Sequence, residues 1–243
     1  MAAHSGPDLV QNGLLIYIDA ANSKSYPGSG TNAVDLSGNG YDGTLKNGTA
    51  FSTDNGRATW RFDGTDDQVN VDTQPGYPST VDDPFTIESA IYIPTGTDWW
   101  SDNGSSGTTL VSRGNYSGSL GFRRYSTSNI GWWIRPSGSS RQVNYTADFD
   151  RWYILTGTFD GTNNSGGMVF YVNGVSVGTA TVSDALSTTF DNSSWLMGGG
   201  GAFGGVNGGH AGGDIPYLRV YNRALTSAEA VQNFNATRGR FGL

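Results

Sequence analysis

The feature that most restricts this chain is a long succession of short apolar runs. Each is rich in Val, Ile, Phe, Tyr, Trp or Thr and is closed by Gly, Asn, Asp, Ser or Pro. Such runs lie at 14–18, 59–62, 68–71, 85–93, 108–112, 120–124, 130–134, 142–145, 152–159, 168–172, 175–180, 194–197 and 215–221. Strands this short and this frequent predict a two-sheet sandwich or a barrel, and no linker or internal repeat divides the chain. In Phe85-Thr86-Ile87-Glu88-Ser89-Ala90-Ile91-Tyr92-Ile93 the odd positions are mostly apolar and the even ones mixed. That alternation predicts a strand with one face in a core, Glu88 and Tyr92 sharing the other face. The runs on either side of Asn173-Gly174 predict a hairpin closed by a type I′ turn, because Asn and Gly tolerate positive φ.

One helix is expected, at 226–235, where Thr226-Ser227-Ala228-Glu229 forms a capping box and Ala230, Val231 and Phe234 share a side. Beyond it, the segment 237–243 is basic and ends in apolar residues; it reads as a frayed end, with docking onto a neighbouring subunit as the alternative. The glycine run 198–213 lacks a Gly-Lys-Ser/Thr ending, so it predicts a loop with unusual backbone angles or close approach, not a phosphate-binding loop.

Composition narrows the function classes. The chain has 243 residues, 37 of them Gly, and no Cys, so disulfides, thiolate zinc sites and a Cys nucleophile are excluded. A net charge of −7 without any basic run argues against general nucleic-acid binding. No stretch approaches a membrane span, and residues 1–10 lack a signal-peptide pattern, so a soluble protein made in a cytoplasm without a signal peptide is expected. The histidines, His4 and His210, sit near a terminus and in the glycine run, which makes a Ser/His/Asp site a poor fit.

Taken in order, Phe62-Asp63-Gly64-Thr65-Asp66-Asp67-Gln68-Val69, the strand 85–92, Arg151 through Gly161, Phe170-Tyr171-Val172-Asn173-Gly174 and Leu218-Arg219-Val220-Tyr221-Asn222-Arg223-Ala224-Leu225-Thr226 resemble the laminin G-like, concanavalin A-like jelly-roll superfamily. The resemblance covers 14–236 and implies an all-β antiparallel jelly-roll sandwich with one short C-terminal helix. It implies a single domain over 1–243, with an N-terminal arm at 1–12 and a tail at 237–243. The fold hosts lectins, adhesion modules and glycanases alike, so it does not choose among them. Asp19-Ala20-Ala21-Asn22 and the ending 233–241 further resemble laminin G-like structural proteins of tailed, particularly marine, bacteriophages.

Glycanases of this fold need a second carboxylate near the first. Glu88 and Glu229 are the only glutamates; Glu229 is accounted for by the helix cap, and the same-face neighbours of Glu88 are Thr86, Ala90 and Tyr92. The chain is therefore read as a binder, not an enzyme. A glycan site combines an aromatic platform with amides, carboxylates or Arg. Candidate ligand-binding residues are Trp99 and Trp100 with Asp98 and Asn103, Tyr116 with Arg113, and Trp132 with Arg135. Against this stands core packing: of the adjacent pair Trp132 and Trp133, one should face inward. Trp99 and Trp100 could equally serve a subunit contact. For Asp214 the resemblance implies a structural calcium, held with backbone carbonyls; a turn-forming role is the alternative.

These expectations converge on a virion-surface structural protein of a tailed phage, a capsid decoration or fibre component adhering to host-surface glycans. Its partners would be other virion subunits in a homo-oligomer, for which a trimer suits the symmetry. A free or cell-surface carbohydrate-binding module is the alternative, and a divergent glycanase the third.

Overall fold

The computed structural model describes residues 7–54, 56–71, 77–80, 82–95, 108–113, 119–124, 128–135, 140–162, 165–182, 194–199 and 209–243. The strands in the first half are β1 (Leu14–Asp19), β2 (Asn32–Ala33), β3 (Gly43–Lys46), β4 (Ala50–Ser52), β5 (Thr59–Asp63), β6 (Gln68–Val71), β7 (Phe85–Ile93) and β8 (Thr108–Arg113). There follow β9 (Ser119–Arg124), β10 (Asn129–Arg135), β11 (Arg141–Thr146), β12 (Arg151–Phe159), β13 (Met168–Val172), β14 (Val175–Ala180), β15 (Trp195–Met197), β16 (Gly212–Ile215) and β17 (Tyr217–Tyr221). Helix α1 (Ser227–Thr237) and a 3-10 turn, Arg238–Arg240, close the chain.

The strands form two antiparallel sheets, the jelly-roll sandwich that the sequence predicts. One sheet runs β14-β13-β12-β7-β16-β5-β4, with β17 also on β7 and β1 on β17; the other runs β11-β10-β9-β8-β15-β6-β3-β2. The predicted strand 215–221 is interrupted at Pro216, which has no N–H to give to a ladder. The interruption separates two pairings: β16 continues toward β5, whereas β17 lies between β7 and β1.

Alternation decides what each sheet buries. Phe85, Ile87, Ile91 and Ile93 of β7 enter the core between the sheets, where they meet Trp132 and Phe122 from the opposite sheet. At the hairpin, Asn173 and Gly174 adopt φ of +52° and +74°, the double positive φ that a type I′ turn demands. A Cβ on Gly174 would also lie 2.9 Å from the Phe234 ring of α1.

The other face of the nine-stranded sheet is buried as well. Ala90, Trp152, Ile154 and Tyr217 form a second apolar layer closed by Phe241, whose ring centroid is 4.8 Å from that of Trp152. This corrects the reading of 237–243 as a frayed end or a strap for a neighbour: the tail docks on its own sheet, because the apolar Phe241 finds an aromatic floor there. Helix α1 starts as predicted, Thr226 Oγ1 accepting from Glu229 N and Thr226 N donating to Glu229 Oε2 at 2.9 Å. Among the described residues no helix is long and apolar enough to cross a membrane.

Candidate functional site

Of the sequence-predicted ligand residues the structure describes Arg113, Trp132 and Arg135. Trp99, Trp100, Asp98, Asn103 and Tyr116 lie outside the described residues. Trp132 is a core residue: its ring packs on Phe85 and Phe122, its indole N–H donates to Thr158 O at 3.3 Å, and Gly157 lies directly against it. With its faces covered it cannot serve as a sugar platform, which corrects that expectation. Trp133 takes the opposite face of the sheet, between Gly121 and Gln142 in register and beneath the Arg123 guanidinium, 5.2 Å from the ring centroid. It too is enclosed. Arg135 shares that face, half-buried, whereas Arg113 is in register with the core residues Leu120 and Trp195 and donates to Pro78 O from a fully enclosed position. Arg113 is thus structural, not an exposed hydrogen-bond donor for a ligand.

Asp214 is enclosed on β16 opposite Arg61 of β5, and both of its carboxylate oxygens accept from that guanidinium, at 2.9 and 3.2 Å. The donor set does not suit calcium, which would have to displace a cation already held in bidentate fashion. Among the described residues, carboxylates close enough to share a cation occur at Asp63, Asp66 and Asp67, within 4.8 Å of one another. Two of these already shape the turn, Asp63 accepting from Thr65 N and Asp67 from Asp63 N.

Glu88 is fully enclosed under α1. Its carboxylate pairs with Arg219 and accepts from Asn233 Nδ2 at 3.2 Å and Thr156 Oγ1 at 3.3 Å. It fixes helix to sheet and presents no oxygen to a substrate.

A concavity lies beside this buried cluster. On the outer face of β1, Tyr17 and Asp19 alternate with the core residues Ile16 and Ile18. With Ser23, Arg57, Arg219 and Arg240 they line a cavity of about 810 Å³ between the β1 end, the stretch before β5 and the C-terminal tail. Arg240 Nη1 donates to both oxygens of Asp19 at 2.8 Å, its Nη2 donates to Ala58 O at 2.8 Å, and Tyr17 Oη donates to Asp19 Oδ2 at 3.1 Å. Arg219 stacks its guanidinium 4.7 Å from the Tyr17 ring centroid and donates to Thr237 Oγ1 at 3.1 Å. Burial raises the Tyr17 hydroxyl above its ordinary pKa, so it stays protonated and able to donate.

No local sequence pattern reports this cavity, because its lining comes from segments far apart in the chain. Asp19 to Asn22 and 233–241 meet here across the whole length of the chain.

A profile of the concanavalin A-like lectin/glucanases superfamily matches residues 63–231. The chain belongs to this superfamily. Within concanavalin A-like folds, it is similar to the binding domain of Paraclostridial Mosquitocidal Protein 1 (TM-score 0.68, 17% identity, 93% of this chain and 52% of that one). It is also similar to domain 4 of AbnA, an extracellular arabinanase of family GH43 from Geobacillus stearothermophilus, solved with arabinotriose (TM-score 0.63, 17% identity, 91% and 98%). A third is the ligand-binding domain of Botulinum neurotoxin serotype D, solved with N-acetylneuraminic acid (0.65, 14%, 93% and 51%). This concanavalin A-like chain thus spans about half the length of the first and third of these. At such identities the likeness is one of fold. No curated protein sequence matches the chain. Of the cavity lining, Arg219 alone falls within the span that the superfamily profile matches, so the concanavalin A-like frame is completed here by its own flanks.

Proposed function

We propose that this chain is a saccharide-binding jelly roll and that the cavity between β1 and the C-terminal tail is its binding site. The observation that carries the reading is the lining. A space of about 810 Å³ falls in the size range of small-ligand sites, and its wall offers a tyrosine, a carboxylate, a serine hydroxyl and three guanidinium groups. Planar and hydroxyl groups of this kind match the hydroxyls and ring faces of sugars. Similar folds solved with arabinotriose and with N-acetylneuraminic acid support the ligand class. The enclosure of Glu88 in an ion pair supports binding in place of hydrolysis.

The setting we propose is the surface of a tailed phage, as capsid decoration or fibre component, where many copies multiply a weak affinity. It rests on the resemblance of Asp19 to Asn22 and of 233–241, and mass spectrometry of purified particles tests it: absence of the chain from particles contradicts the setting. The binding itself is tested on a glycan array with the wild type and Ser23→Trp, an exposed lining position where an indole would fill the cavity. Array signals that vanish in Ser23→Trp with the melting temperature unchanged support the proposal. Signals that persist place the site elsewhere.

A further inference from the structure

The charges in the cavity wall do not balance, and we infer that it selects saccharides carrying a carboxylate. The inference rests on the saccharide-binding reading above and adds the chemical class of the ligand. Arg219 is matched by Glu88 behind the wall, and Arg240 by Asp19. Arg57 has no such match. Its Nη1 donates to the adjacent Gly56 carbonyl at 2.7 Å, and among the described residues no carboxylate pairs with it. Three arginines against two carboxylates leave one formal positive charge, in a chain whose net charge is −7.

A second observation points the same way. Arg57, Arg219 and Arg240 come from three separate segments of the chain, and the Nε–H of each is buried without a hydrogen-bond acceptor. Buried donors in folded proteins are nearly always paired, so these three leave the wall with hydrogen-bonding capacity unspent. Arg219 is itself only 2% exposed, which fixes its guanidinium in place before any ligand arrives. A guanidinium fork takes a carboxylate through two parallel hydrogen bonds, whereas a neutral hydroxyl uses only part of it. The acid group is therefore assigned to the Arg57 side, with Arg219 and Arg240 held behind it, and the sugar hydroxyls to Tyr17, Asp19 and Ser23.

The experiment uses the full chain on an array that carries neutral glycans beside their sialylated, uronate-containing and sulfated counterparts. The strongest acidic glycan is then titrated by calorimetry against its methyl ester, with wild type and with Arg57→Gln. Binding of the acid at least about tenfold tighter than the ester is expected of a charge-assisted contact, with the ratio falling toward one in Arg57→Gln. Equal affinity for acid and ester, or signals from neutral or sulfated glycans only, overturns the carboxylate assignment and leaves saccharide binding standing. Absence of any signal on the array overturns both.

Discussion

Glu88 and Arg219 are cross-strand partners in register on β7 and β17, and their side chains form an ion pair sealed beneath helix α1. The pair is joined by Asn233, which donates to Glu88 and to the Tyr221 hydroxyl, and accepts from Val10 N at 2.9 Å. One polar cluster thus ties the N-terminal arm, the last strand and the helix to the outer face of the sheet.

Removing one member of such a pair leaves the other charge buried without compensation, a loss of about 3–5 kcal/mol. Urea unfolding of Glu88→Gln should show that loss, and Glu88→Leu combined with Arg219→Met should recover a large part of it. A Glu88→Gln protein as stable as wild type would mean that water reaches this pair.

The C-terminal tail should count toward stability. Phe241→Ala removes a nearly enclosed ring from the floor made by Trp152 and Tyr217, at about 3 kcal/mol, the lower end for a buried Phe. A frayed tail would give no change in the unfolding midpoint.

Gly157 belongs to the core through what it leaves out. A Cβ there would sit 2.5 Å from the Trp132 ring, so Gly157→Ala forces the indole or the β12 backbone to move. The expected cost is about 1–3 kcal/mol, read as a lower urea midpoint together with altered tryptophan fluorescence.

Acid should loosen the helix entry before it unfolds the sandwich. The Arg223 guanidinium, 2.6 Å from Glu229, together with the Thr226 N–H, holds the Glu229 carboxyl down to about 2 from an ordinary 4.5. A group depressed in the folded state stabilises fully above its unfolded pKa, and that contribution fades as pH falls from about 4.5 to about 2. The stability difference between wild type and Glu229→Gln should therefore be constant above pH 5 and shrink through this window. A difference independent of pH would contradict the assignment.

Local pattern made much of this fold readable. The aromatic and β-branched runs of β6, β7, β13 and β14 lie where alternation places them, and the capping box starts α1. The strands β2, β3 and β4 escaped because each is only two to four residues long and partly polar; their neighbours make them strands, not their own propensity. Alternation also required one of Trp132 and Trp133 to face inward, but the choice depends on Gly157 in the opposite sheet, far away in sequence. The cavity was the least legible. Asp19 and Arg240 are 221 residues apart, and no local signal reports that they meet.

The most direct test is a crystal structure with the strongest array glycan bound. The sugar is expected between β1 and the tail, within hydrogen-bond reach of Arg57 and Tyr17. A sugar seated instead on the outer face of the eight-stranded sheet, against Gln142 and Asn144, would contradict it.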